Sequence, residues 1–262
     1  MQDGVTAKEP SQAELLMGIK GAARRIPYDS RRDRFNIPHS LETSIRRDLN
    51  ANFIRVNGGN IAIATQYPYR HQLEAQLQLL VDNRTPALTV LASYKDIHSD
   101  QLPEYFSTSA TYGSIQTESS FVKTVDLGDG VEAKIYELEI SGYQATVTIP
   151  VIHVHNWPDH QTITPSTTVN LVSLVNSIVS DKKDFYTQRK SRAVLDPDKL
   201  LPIIHCRAGV GRTGQTIAAM VMQKNPELSL AAITEALRVS RNNFMIQTKV
   251  QMETLVELKG KD

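Results

Sequence analysis

From Leu201 to Gly214 the chain reads Leu-Pro-Ile-Ile-His-Cys-Arg-Ala-Gly-Val-Gly-Arg-Thr-Gly, an apolar strand that runs straight into a glycine-rich turn and then a helix. Glycines at Gly209, Gly211 and Gly214 let backbone N–H groups curl inward around a negative charge. The helix that follows has Ile217, Ala218, Val221 and Met222 to bury, and it aims its positive N-terminal end at the same point. Arg212 supplies a planar fork of donors, which suits a tetrahedral oxyanion better than a lysine would. A fold containing this stretch needs a strand within a sheet, with an anion cradle at the strand's carboxyl end.

Cys206 is the chain's single cysteine, and it stands at the mouth of the turn, six positions before Arg212. Thiolate is the reactive form of cysteine, and convergent N–H groups at a helix N-terminus lower its pKa from about 8.5 into the range of roughly 3.5 to 7.5. A thiolate beside a bound phosphate can attack phosphorus. His205 sits just behind the loop, and Thr213 follows the arginine, where its hydroxyl can reach the sulfur and help it leave.

Two other readings fit the same residues. Gly209-x-Gly211-x-x-Gly214 matches the dinucleotide fingerprint, with Glu235 about twenty residues on. Fewer than about fifty residues remain after Gly214, too few for the paired βαβ halves of such a fold, and the run after Glu235 reads as helix. A lone cysteine can also be a small buried hydrophobe; the coincident Gly, Arg and Thr spacing argues against that here.

The sequence from His205 to Gly214 resembles the Cys-x5-Arg-Ser/Thr signature of the protein tyrosine phosphatases, and within them the bacterial effector phosphatases of the Yersinia outer protein H type. Segments elsewhere fall in the family's order: Asp48-Leu49-Asn50-Ala51-Asn52-Phe53, Ala64-Thr65-Gln66-Tyr67-Pro68, Asn83-Arg84-Thr85-Pro86, Tyr112-Gly113-Ser114-Ile115, Asn156-Trp157-Pro158-Asp159 and Arg241-Asn242. The likeness covers residues 30 to 258. It implies a protein-tyrosine phosphatase injected into a host cytoplasm and acting there on phosphotyrosine proteins, as a monomer and without metal or organic cofactor. Without that implication the chain reads as cytoplasmic.

Composition is consistent with one large domain. The 262 residues are 40% hydrophobic with a formal charge of +1, which argues against nucleic-acid binding, a task that usually shows a basic excess. One cysteine excludes an internal disulfide and suits a reducing compartment. No apolar run approaches the ~18 residues of a membrane span, and the start carries no signal-peptide core.

Along the chain, residues 1–10 read as a flexible leader and Ser11 to Arg25 as an amphipathic helix presenting Leu15, Leu16 and Ile19. We divide the chain into this leader and helix, 1–25, and a catalytic domain, 26–262. Arg24, Arg25, Arg31, Arg32 and Arg34 form either a solvated charged face or a surface attracting an acidic phosphopeptide. The resemblance makes Phe35 the aromatic that stacks on the substrate ring. Its matching aspartate is missing and Asn36 is the nearest candidate to hold the substrate backbone, without charge.

Phe53 to Val56 and Ile61 to Thr65 are joined by Asn57-Gly58-Gly59-Asn60, which predicts a hairpin. Leu73, Leu77, Leu80 and Val81 recur at helical spacing, and Ala87 to Ala92 is a strand-length run. Tyr112 to Ser119 reads as a strand carrying Glu118, which the resemblance pairs with Arg212. Three β-rich runs from Val122 to Trp157, punctuated by Gly128-Asp129-Gly130 and Ser141-Gly142, predict a meander feeding Asn156-Trp157-Pro158-Asp159. Pro158 stiffens that loop and Trp157 packs as its hinge. Residues 167–180 predict a helix with one buried face, Lys182 to Pro197 a charged connection, and Leu230 to Val239 another helix. Gln247 and Gln251 are placed at the start of the last one.

The fold class expected is α/β, or α+β in stricter terms: a twisted mixed sheet flanked by helices, with the cradle at the carboxyl end of a central strand. The resemblance assigns Cys206 as nucleophile, Asp159 as acid and then base, and Gln247 and Gln251 to the hydrolytic water. Arg212 and the loop backbone at Arg207, Ala208, Gly209, Val210 and Gly211 hold the phosphoryl oxygens, with Phe35, Asn36 and Trp157 around the substrate. A phosphotyrosine-binding module without turnover and a dual-specificity phosphatase remain as alternatives.

Overall fold

A computed structural model describes residues 8–188 and 199–260 of the chain. In chain order the strands are β1 (Arg25–Ile26), β2 (His39–Ser40), β3 (Ala51–Val56), β4 (Gly59–Thr65), β5 (Leu88–Val90), β6 (Ala110–Tyr112), β7 (Ile115–Gly128), β8 (Val131–Ser141), β9 (Val147–Val154) and β10 (Ile203–His205). The helices are α1 (Gln12–Met17), α2 (Leu73–Asp82), α3 (Tyr94–Ser99), α4 (Pro165–Gln188), α5 (Gly211–Lys224), α6 (Leu230–Ser240) and α7 (Lys249–Lys259).

Strands β3 to β10 form one mixed sheet in the order β3-β4-β10-β5-β9-β8-β7-β6, and β1 and β2 pair apart. Its centre is parallel: β10 lies between β4 and β5, and β5 pairs with β9 in the same sense. Both flanks are antiparallel hairpins. Strand β10 is short and apolar on both faces, as a strand covered on both sides must be. One face packs against α1 and α4 to α7 through residues such as Ile204, Ile217, Leu237 and Leu255. The other packs against α2 and α3 through Leu77, Leu80, Ile97, Phe106 and Ile203. This is the mixed, flanked α+β sheet the sequence predicts.

Local details follow the residues. Asn57 and Gly58 both take positive φ, 50° and 79°, so the β3–β4 hairpin closes in a two-residue turn. The meander is β7, β8 and β9. The expected strand from Tyr112 to Ser119 is broken at Gly113-Ser114, where a tight turn separates β6 from β7. The first helix ends at Gly18 rather than Arg25: Ser11 and Glu14 build a capping box, Leu16 is buried, and Leu15 is left 62% exposed. Helix α4 runs on to Gln188 through the first part of the expected charged connection, and the rest of that connection lies outside the described residues, as do residues 1–7 of the leader.

The arginine-rich stretch fits neither expectation as a whole. Arg25 donates to the carbonyls of Gly21, Arg238 and Arg241, and Arg34 to those of Tyr67 and Pro68. These are ties between segments. Arg24 and Arg31 alone form exposed surface pairs, with Glu42 and Asp29.

Candidate active site

Strand β10 delivers Cys206 to the turn, and the turn is held from behind through its carbonyls. Cys206 O accepts from His205 Nδ1 at 2.9 Å, Arg207 O from Tyr67 N at 2.9 Å, and Val210 O from Ile246 N at 3.0 Å. Buried Arg241 takes two more, donating from Nε to Gly209 O at 2.7 Å and from Nη2 to Ala208 O at 3.0 Å. With every carbonyl from 206 to 210 drawn outward, the amides of residues 207 to 211 face the other way, and neither these nor the amide of Arg212 donates to a group among the described residues. Gly209 has φ +71°, and a Cβ there would stand 2.0 Å from Thr65 O; only glycine fits. Ile246 pays in backbone strain, φ 62° for a β-branched residue, to aim its N–H at Val210.

Cys206 is buried, and Thr213 Oγ1 donates to its Sγ at 3.2 Å. Burial alone would push the thiol up, but the charge of Arg212 and hydrogen bonds from the Thr213 hydroxyl and N–H outweigh it, so the thiol lies below its ordinary value despite Asp159. His205 is fully buried. A carbonyl can only accept, so Nδ1 carries the proton, and Nε2 accepts from Tyr105 Oη at 2.8 Å. Burial, helped by the Arg34 charge, pulls this imidazole down to about 4, so it is neutral at pH 7. It positions the turn and carries no charge to it.

Arg212 is 0% exposed. Its Nη1 donates to Asp96 Oδ2 at 2.6 Å and to the carbonyls of Trp157 and Leu91 at 2.9 and 3.2 Å, and its Nη2 donates to Asp159 Oδ1 at 2.9 Å. The expected partner, Glu118, is elsewhere. It lies exposed on β7, four strands from β10, or roughly 19 Å at about 4.8 Å per strand. Asp96 replaces it, and sequence reasoning missed it. The available signal was Ser93-x-x-Asp96, a capping box just beyond β5, the strand beside β10. Burial raises the Asp96 carboxyl, but Arg212 and the Ser93 donors win and hold it below the ordinary carboxylate range.

Trp157 is buried, with Nε1 donating to Gln161 O at 2.9 Å, so its ring roots the loop rather than facing a substrate. Asp159 lies over the turn, held by Arg212 and, through Oδ2, by Arg207 Nη1 at 3.3 Å. Gln251 is not a free amide. It is the third residue of α7, its Oε1 accepts from the N–H groups of Gln247 and Thr248, and its Nε2 donates to Gln161 O at 3.1 Å. Gln247 precedes the helix rather than sharing a helical face with Gln251, and its side-chain amide makes no hydrogen bond among the described residues. Both amides crowd Gly211, where a Cβ would meet Gln247 Oε1 at 3.0 Å and Gln251 Nε2 at 3.1 Å. Phe35 is half-buried beside Arg207, while Asn36 is exposed and makes no side-chain hydrogen bond among the described residues. The carboxylate of that segment, Asp33, is turned inward onto Arg32 and Asn50.

The geometry is that of a cysteine-dependent phosphoryl-transfer site: a lowered thiol inside an amide cradle, a fixed arginine, and a carboxylate above. Residues 23–259 match the family model described as Protein-tyrosine phosphatase, and the chain belongs to that family. It is 45% identical over 222 residues to Tyrosine-protein phosphatase YopH of Yersinia enterocolitica, covering 83% of this chain and 47% of that protein. It is 34% identical over 231 residues to Secreted effector protein SptP of Salmonella paratyphi A, covering 86% and 40%. The chain thus spans about half the length, or less, of the curated relatives it matches. Among solved structures, PTPN18 in complex with HER2 phospho-peptides shares the fold, with a TM-score of 0.69 over 88% of this chain and 87% of that one at 18% identity. Among the described residues no His, Cys, Asp and Glu cluster could hold a metal, and no helix is long and apolar enough to cross a membrane.

Proposed function

We propose that this domain hydrolyses phosphotyrosine esters of proteins through a phosphocysteine on Cys206. The observation that carries this reading is the Cys206 thiol, lowered by Arg212 and Thr213 and ringed by unengaged amides under the carboxyl of Asp159. In the first step the thiolate forms a bond to phosphorus, the bond from phosphorus to the tyrosyl oxygen breaks, and Asp159 gives that oxygen its proton. Arg212 and the amides of residues 207 to 212 hold the equatorial oxygens. In the second step a water placed by Gln247 attacks phosphorus and loses its proton to Asp159, the S–P bond breaks, and Thr213 stabilises the departing thiolate. Gln251 supports this step by fixing the Gln247 backbone and the Gln161 end of the acid loop.

The kinship with a secreted Salmonella effector supports a further reading, that the protein is delivered into host cells and acts on phosphotyrosine proteins there. Phosphate release from phosphotyrosine, phosphoserine and phosphothreonine peptides, assayed in parallel, tests the activity. Release from phosphotyrosine alone is expected. Equal release from all three would make it a dual-specificity enzyme, and none from any would leave a binding module.

A further inference from the structure

Arg207, next to Cys206, throws its side chain across the mouth of the turn and joins four segments. Its guanidinium carbon stands 5.2 Å from the centroid of the Phe35 ring, its Nη1 reaches Asp159 Oδ2 at 3.3 Å, and its Nε is ion-paired with Asp100. Asp100 closes α3, four residues after Asp96. One short helix therefore sets two carboxylates against the two arginines of the turn, Asp96 on Arg212 and Asp100 on Arg207. Both arginines in turn hold Asp159, Arg212 through Oδ1 and Arg207 through Oδ2.

These two grips on Asp159 have different fates during a reaction. A phosphoryl group in the cradle draws on the fork of Arg212, so Oδ1 of Asp159 loses that charged donor, keeps only the His160 N–H at 3.0 Å, and is released to carry the proton toward the leaving oxygen. Oδ2 stays with Arg207. That arginine is on the rim, with its side chain 30% exposed, and an unrestrained arginine would scatter over many rotamers. The ion pair to Asp100 and the Phe35 face remove that freedom in advance.

Resting on the phosphatase reading above, we propose that Asp100 is a positioning residue: it fixes Arg207 so that Arg207 keeps the Asp159 loop closed over the turn during proton donation. Asp100 is itself 29% exposed, so the pair is solvent-screened and its effect on rate is modest, about five-fold.

The test compares the parent with Asp100→Asn, Arg207→Ala and the double variant, on a phosphotyrosine peptide and on an aryl phosphate whose leaving group needs no proton. Asp100→Asn should lower kcat about five-fold on the peptide with KM little changed, lower it less on the second ester, and add nothing once Arg207 is alanine. A second readout needs no turnover. Trp157 is the chain's one tryptophan and roots the acid loop. Its quenching by acrylamide without substrate should rise in Asp100→Asn. Equal losses on both esters with unchanged quenching, or an undiminished loss in the Arg207→Ala background, would overturn the proposal. An inactive parent whose Trp157 quenching still rises in Asp100→Asn would overturn the phosphatase reading while supporting the hold of Asp100 on the loop, and an inactive parent with unchanged quenching would overturn both.

Discussion

Asp96 Oδ2 stands 2.6 Å from Arg212 Nη1, and the same oxygen accepts the Ser93 N–H that caps α3. One carboxylate thus both starts a helix and sets the rotamer of the arginine proposed to meet the phosphoryl group. Removing it strips a fully buried guanidinium of a partner, which costs about 3 kcal/mol.

Asp96→Ala should therefore lose about that much stability in equilibrium denaturation, and kcat should fall by on the order of 10², the usual effect of misplacing a catalytic group by an ångström. Glu118→Ala should stay within about 0.5 kcal/mol of the parent with kcat unchanged, as expected of an exposed strand residue. The opposite ranking of the two variants would return the role to Glu118.

Stability should fall in mild acid. Burial holds His39, His153 and His205 at about 4 in the folded chain, while each titrates near 6.5 when unfolded. Between those values the unfolded chain binds protons that the folded chain refuses, so the contribution is complete above about 6.5 and is lost as pH falls toward 4. Three such groups give a slope of up to roughly 4 kcal/mol per pH unit. A urea midpoint that stays level from pH 7 to pH 5 would contradict this.

Arg212→Lys should lose most of the activity, because an ammonium cannot make two parallel bonds to phosphoryl oxygens and cannot serve Asp96, Trp157 O and Asp159 at once. Initial rates on a phosphotyrosine peptide check it, and a lysine variant near the parent rate would mean that charge alone suffices.

For Asp159, kcat against pH should be bell-shaped, since the acid must be protonated while the thiol is ionised, and Asp159→Ala should erase the basic limb. Its kcat should fall by about 10² to 10⁴ on an ester with a poor leaving group and by much less on one that departs as a stable anion. An unchanged basic limb, or equal losses on both esters, would pass the acid role to another group, with His160 the first to test.

The cradle was legible in the sequence because strand, glycines, helix and Arg212 are consecutive, so local rules suffice to assemble them. The hairpin at Asn57-Gly58 and the meander were legible for the same reason. What meets Arg212 was not, because it depends on strand order: β5 adjoins β10 and brings Asp96 to the site, whereas β7 carries Glu118 four strands away. Arg241 stood out in the sequence only beside Asn242, with no role. Its part is to donate to the carbonyls of Ala208 and Gly209, and a backbone acceptor leaves no mark in residue spacing. Gln251 shows the converse, a residue placed at the right helix whose amide the helix cap had already taken.

Passage of the phosphoryl group through Cys206 can be caught by acid quenching during turnover of a phosphotyrosine peptide, followed by mass spectrometry of the digested protein. The expected result is the mass of one phosphoryl group on the peptide that contains Cys206, more of it in Gln247→Ala, where the hydrolytic water would be misplaced, and none in Cys206→Ser, which should still bind the phosphopeptide. Label on any other residue, or phosphate release by Cys206→Ser at even about a tenth of the parent rate, the least a working thiolate nucleophile should exceed, would contradict it.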